Sequence, residues 1–290
     1  MRHLTRSLIY TALLATLIAS TSHARGLKDL FDNLPIDNNI KTIGNGVVAA
    51  SEDIKEPEEI QMGNDMAAML LGAAPLVRQN EAQRYVNEVG RWIALQSDRP
   101  NLPWRFGILD TLSVNAFAAP GGKIFITRGL FLRLNNEAEL AGVLAHEIAH
   151  VMRKHHLAAI KKKGMMQAGS SLLSNYSNRQ GGAVPEQFQG LFKGVMTSAL
   201  DKDDEFDADR VGVVLATRAG YNPFGLPSVL QGFAAAGKND KGFEMLFSTH
   251  PAPSERLERL SNKMENRFDR WEDDSNSDDV RLRKMQRLVR

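Results

Sequence analysis

The 290-residue chain contains no cysteine. That absence excludes disulfides, thiolate-ligated zinc, iron–sulfur clusters, a thiol nucleophile and a lipid carried on cysteine. Charge of one sign is missing as well: 36 Lys and Arg face 34 Asp and Glu, a formal net charge of +2. Aromatic residues make up only 7%. No apolar run reaches the roughly 20 residues of a membrane span. What is present is ordinary, 43% apolar and 24% charged, which excludes a disordered tail protein, a collagen-like repeat and a polytopic membrane protein. No period near 34 residues recurs, so no helical-repeat array is expected.

The N-terminus carries a compartment signal. Arg2 and Arg6 precede the apolar run Leu8–Ala19, and the small residues Ser22 and Ala24 follow it. A basic start, an apolar stretch of about a dozen residues and a small-residue exit match a secretory signal peptide. Removing residues 1–24 takes away two Arg and no acid, leaving 34 basic against 34 acidic residues. The mature chain is therefore formally neutral and has no net basic face for a phosphate backbone, so no nucleic-acid partner is expected. Its histidines are His146, His150, His155, His156 and His250.

Four segments are expected: the signal peptide 1–24, an irregular lead-in 25–60, a folded domain 61–267 and a charged tail 268–290. Within the domain, Asn80-Glu81-Ala82-Gln83 has the form of a capping box opening a helix with Val86, Val89 and Ile93 on one face. Short aromatic and β-branched runs follow at Trp104–Leu109, Val114–Ala118 and Lys123–Thr127. Ala119-Pro120-Gly121-Gly122 joins the last two, so they read as strands of a small sheet. Asn136-Glu137-Ala138-Glu139 opens a helix expected to run to at least Lys154. Residues 174–190, rich in Asn, Gln and Gly, read as a flexible loop. Helices are expected again at Val195–Ala219, Pro227–Ala236 and Ser254–Arg267. The fold class is α+β, predominantly helical.

Chemistry concentrates in Leu140–Met152, where His146, Glu147 and His150 are the only polar side chains. A helix apolar on every face must be buried, and buried ionisable groups cost several kcal/mol unless something meets them. Four-residue spacing puts both imidazoles on one face, close enough to share a metal. Glu147 lies about 100° around the helix, placed to address a water rather than the metal. A catalytic zinc takes three protein ligands and keeps a position open. With no cysteine, a carboxylate is the natural third. In Asp201–Asp209, Glu205 and Asp209 share a helix face with Gly212, which leaves room for close approach to another helix. Asp203, Asp204 and Asp207 read as solvated charges.

His146-Glu147-Ile148-Ala149-His150, with Glu205-Phe206-Asp207-Ala208-Asp209-Arg210 downstream, resembles the HtpX and CAAX-prenyl-protease group of gluzincin metallopeptidases. Asn115-Ala116-Phe117-Ala118 with Pro120–Phe125 is similar to the segment preceding the metal helix in that group. Ser248-Thr249-His250-Pro251 with Glu255-Arg256-Leu257 is similar to its C-terminal His-Pro motif. The resemblance spans roughly residues 60–265 and points to the soluble, exported branch concerned with envelope quality control.

The resemblance implies a gluzincin-like domain with its sheet packed on the metal helix, and one Zn2+ held by His146, His150 and Glu205. It further implies that Glu147 is the general base, that Asp209 holds a ligand imidazole by its other nitrogen, and that His250 donates to the oxyanion. His155 and His156 extend the metal helix off the face of His150 and are read as cations suited to a helix C-terminus. The expected function is a zinc endopeptidase of the periplasm, peripheral to the outer membrane. Its expected substrates are unfolded or misfolded polypeptides, outer-membrane proteins among the candidates. Two alternatives stay open: a metal-binding periplasmic chaperone or assembly factor with little turnover, and a latent protease gated by the 174–190 loop.

Overall fold

The structure is a computed structural model, and it describes residues 54–168, 194–195, 200–236, 241–268, 271 and 279–290. The expected signal peptide 1–24, most of the expected lead-in and the expected loop 174–190 lie outside the described residues. Contacts divide the chain into two units, one of them Ile54–Lys163 with Gly181–Arg290. The other contributes to the described residues only the end of one helix.

The chain runs α1 (Glu56–Ala73), α2 (Asn80–Ala94), β1 (Arg105–Leu109), β2 (Ala116–Ala119), β3 (Lys123–Thr127), α3 (Arg128–Phe131), α4 (Glu137–Met152) and α5 (His155–Ala168). It continues with α6 (Lys202–Arg218), α7 (Gly225–Ala236), α8 (Glu244–Thr249), α9 (Pro253–Met264) and α10 (Asp279–Leu288). Among the described residues no helix is long and apolar enough to cross a membrane.

The three strands form one sheet in the order β1-β3-β2. β1 runs parallel to β3, with Gly107 opposite Phe125. β2 is antiparallel to β3, with Phe117 opposite Phe125, so β2 lies at an edge. Gly121 and Gly122 make the hairpin at φ +68° and +89°, a region that favours glycine. Alternation then sorts the side chains by face. Phe106, Ile108, Ala118, Ile124 and Ile126 join the main core with α2 and α4, while Leu109 and Phe125 pack with Ala67 of α1.

α4 is the axis of this core, and its residues from Glu137 to Val151 are all buried. Its start is built locally: the Asn136 side chain accepts the Glu139 N–H at 2.8 Å, and Glu139 in return accepts the Asn135 N–H at 2.8 Å. Such a cap stabilises a helix by about 1 kcal/mol. α6 packs along it at a close approach made possible by Gly212. A Cβ there would lie 3.0 Å from the backbone nitrogen of His146.

Four expectations are corrected. The capping box at Asn80 does not form: Gln79 precedes the helix without a side-chain cap. Gln83 instead accepts the Ile108 N–H at 2.9 Å and donates to the Ile108 carbonyl at 2.9 Å, splinting the outer edge of β1. A strand edge left with unpaired backbone groups is the stronger claimant on that amide. The lead-in does not stay irregular to residue 60, because α1 starts at Glu56, with Pro57 in its first turn. Buried Glu59 anchors it by accepting Arg99 Nη1 at 2.8 Å and the Gly121 N–H at 3.1 Å.

The charged tail is not all tail. α10 buries Leu282, Met285 and Gln286, Val289 is buried just past its end, and Gln286 donates to the carbonyls of Phe131 and Leu134. The buried positions recur at helical spacing within a strongly charged segment, so the charge sits on the outer face. Finally, α4 stops at Met152 rather than Lys154. Lys154 takes φ +60°, and His155 starts a new helix.

Candidate metal centre

Three elements bring the polar residues together. α4 supplies His146, Glu147 and His150, α6 supplies Glu205 and Asp209, and the α8–α9 connection supplies His250. His146, His150 and Glu205 each offer an atom within 4.8 Å of the others'. The two Nε2 atoms are 3.0 Å apart, His150 Nε2 is 3.5 Å from Glu205 Oε1, and His146 Nε2 is 3.7 Å from Glu205 Oε2. Ligands of a tetrahedral zinc at about 2.0–2.1 Å stand about 3.3 Å from one another. The Glu205 Oε1 atom is buried and has no hydrogen-bond partner. A buried carboxylate oxygen without a donor is costly, and a cation between it and two imidazoles removes that cost. The residues present fit a zinc ion.

Surrounding groups orient this cluster. His146 Nδ1 meets Asp209 Oδ1 at 2.9 Å. Asp209 in turn accepts Arg256 Nε at 2.9 Å and Nη2 at 2.6 Å, a bidentate pair with both members buried. Burial pushes the Asp209 carboxyl up, but Arg256 and His146 more than offset this and hold it well below the usual range. Glu205 behaves alike: against burial, the hydrogen bond from His250 and the charges of Arg256 and His146 bring it to about 2. His250 Nδ1 lies 2.8 Å from Glu205 Oε2. Burial alone would lower the His250 pKa, and Glu205 reverses the sign and raises it.

Glu147 is buried, and desolvation pushes its carboxyl up despite the opposing charges of His146 and His250. It lines a narrow cleft with Ala116, Phe117 and Ala118 of edge strand β2, His156, Glu205 and His250. A roomier cleft of about 440 Å³ lies behind Asp209 and Arg256, lined by Phe206, Arg210, Arg259 and Lys263, and does not include Glu147. Arg259 stacks 4.0 Å from the Phe206 ring there.

The structure thus gathers all six residues singled out from the sequence: His146, Glu147, His150, Glu205, Asp209 and His250. Sequence reasoning assigned no role to Arg256. Its signal was available: with Leu260 and Met264 it falls on the buried stripe of α9, and an Arg on such a stripe requires a buried acid. The placement of His155 and His156 is corrected. Because the helix breaks at Lys154, they turn back beside His150, with ring centroids 5.1 and 5.3 Å from its own. Burial lowers the His156 pKa to about 4. Asp204 and Asp207 are not simply solvated either. Asp204 approaches His155 Nε2 at 3.6 Å, and Asp207 pairs with Arg153 at 3.1 Å.

Comparison with known proteins agrees with this geometry. The β-barrel assembly-enhancing protease of Yersinia pestis is 29% identical over 266 residues, covering 89% of this chain and 52% of the relative. Its namesake in Escherichia coli K12 is 27% identical over 270 residues, covering 90% and 53%. The mitochondrial metalloendopeptidase OMA1 of Arabidopsis thaliana is 25% identical over 241 residues, covering 82% and 47%. The chain thus spans about half the length of these curated relatives. The sequence model of peptidase family M48 matches residues 80–264, well over half the chain. With the cleft, the two helical histidines and the facing carboxylate already in place, that match settles the affiliation: the chain belongs to peptidase family M48, whose metallopeptidases are zinc-dependent.

Proposed function

We propose that this chain is a zinc metalloendopeptidase that cleaves unfolded or misassembled envelope proteins in the periplasm. His146, His150 and Glu205 hold the metal, and Glu147 is the general base. The observation that carries the reading is the shared cleft, in which Glu147, Glu205 and His250 face the edge strand β2. When bound, zinc polarises a carbonyl and makes water more acidic. A substrate segment in extended form adds to the β2 edge, which places a peptide bond over Glu147. Glu147 takes the proton of the attacking water and passes it to the departing amine. Its desolvation suits that task, since a base for neutral pH needs a carboxyl raised above its ordinary range. His250 donates a hydrogen bond to the carbonyl oxygen as charge builds there. Asp209, itself held by Arg256, fixes the His146 ring and its tautomer.

The periplasmic setting is supported by the signal-like residues 1–24. The substrate class is supported by the β-barrel assembly-enhancing name of the relatives. The decisive measurement is casein degradation by the purified protein and by Glu147→Gln, with zinc content determined on both. The variant should keep its zinc and lose about 10²–10⁴-fold in rate. Equal rates would refute the reading.

A further inference from the structure

We infer that His155 is a positioning residue for the metal centre, holding the ring of His150 from behind as Asp209 holds that of His146. The inference rests on the zinc reading above. Two observations on different scales support it. The first is a contact: His150 Nδ1 and His155 Nδ1 lie 3.0 Å apart, both side chains being buried. The second is the backbone that creates it. Had α4 continued, His155 would sit about 140° around the helix from His150. Lys154 at φ +60° ends the helix and turns His155 back under the ring. A non-glycine residue in that region is held there by the surrounding structure.

The direction of the hydrogen bond follows from the site. The His150 Nε2 atom faces His146 Nε2 and Glu205, so a metal is met by Nε2 and the ring proton must be on Nδ1. His150 therefore donates and His155 Nδ1 accepts. The His155 proton then lies on Nε2, the atom 3.6 Å from Asp204 Oδ1. Asp204, His155 and His150 form a relay of orientation in which one tautomer dictates the next. The two ligand histidines are supported unequally, one by a carboxylate and one by a neutral imidazole.

Two substitutions separate this role from packing. In His155→Asn the side-chain Oδ1 occupies the position of Nδ1 and can still accept. In His155→Gln the terminal amide reaches the position of Nε2, filling more of the imidazole's volume but leaving His150 without its acceptor. Zinc affinity of the purified full chain is measured by competition with a chromophoric chelator, alongside thermal unfolding without metal. His155→Gln should bind zinc about 10–100-fold more weakly and His155→Asn within about threefold of the parent.

A parent that binds no zinc overturns the zinc reading and this inference together. A parent that binds zinc, with both variants equally weak, equally tight or with Gln the tighter, overturns the inference alone. Should either variant fail to fold, long-range proton–nitrogen correlations of the imidazoles in the zinc-loaded parent decide. Protons on His150 Nδ1 and His155 Nε2 uphold the assignment, and a proton on His155 Nδ1 refutes it.

Discussion

The two ends of α4 each bury a charged cluster, and the clusters differ in one respect. At the N-terminal end Glu137 accepts Tyr85 at 2.8 Å, Tyr221 at 3.1 Å and both Nε and Nη2 of Arg281 at 2.9 Å. Every oxygen there has a donor, and the result is a clamp joining α2, α4, the α6–α7 connection and α10. At the C-terminal end the groups are as deeply buried, but Glu205 Oε1 has no donor and two imidazole nitrogens converge beside it. Burial and charge alone do not distinguish a clamp from a site. An unmet acceptor surrounded by further ligand atoms does, because leaving it unmet costs more than a saturated network does.

That contrast predicts which substitutions disturb metal binding and which only loosen the fold. Arg256→Ala should act on both, since it leaves Asp209 buried without its partner. A loss of about 3–5 kcal/mol in urea unfolding of the metal-free protein is expected. Zinc should also raise its melting temperature less than it raises that of the parent, because bound-ligand stabilisation follows affinity. Undiminished zinc stabilisation would erase the distinction at the metal end.

Glu137→Ala should cost less, about 1–3 kcal/mol, by leaving the buried Tyr85 hydroxyl without an acceptor. Arg281 is half exposed and adds little to that. The zinc-induced shift should equal the parent's, and a smaller shift would mean that the clamp and the centre are one system. The smallest effect belongs to Asn136→Ala, which removes only the cap. About 1 kcal/mol of stability should go, again with chelator competition unchanged.

How far each feature could be read along the chain depends on how local its cause is. The unbroken apolarity of Leu140–Met152 announces a buried helix, and the spacings of His146 with His150 and of Glu205 with Asp209 follow from helical repeat alone. Gly212 marks the contact face of α6 by its size. Arg256, by contrast, looks like one more surface cation until the stripe it shares with Leu260 and Met264 is seen. Gln83 has the form of a cap residue because nothing nearby in sequence reveals the bare edge of β1, 25 residues on. The segment Asp279–Leu288 reads as a tail since its apolar positions are few and their partners Phe131 and Leu134 are more than a hundred residues away.

Residue order was therefore enough to name the chemistry: no cysteine, two histidines one turn apart, and a carboxylate on a matching helix face. Helical periodicity is a short-range property, and these inferences needed nothing longer. Tertiary structure alone decided that β2 borders the cleft, that Arg256 steadies Asp209, and that a left-handed Lys154 folds His155 onto His150. Each of these depends on contacts between distant segments, and a positive φ at a lysine has no local cause that the neighbouring residues could disclose.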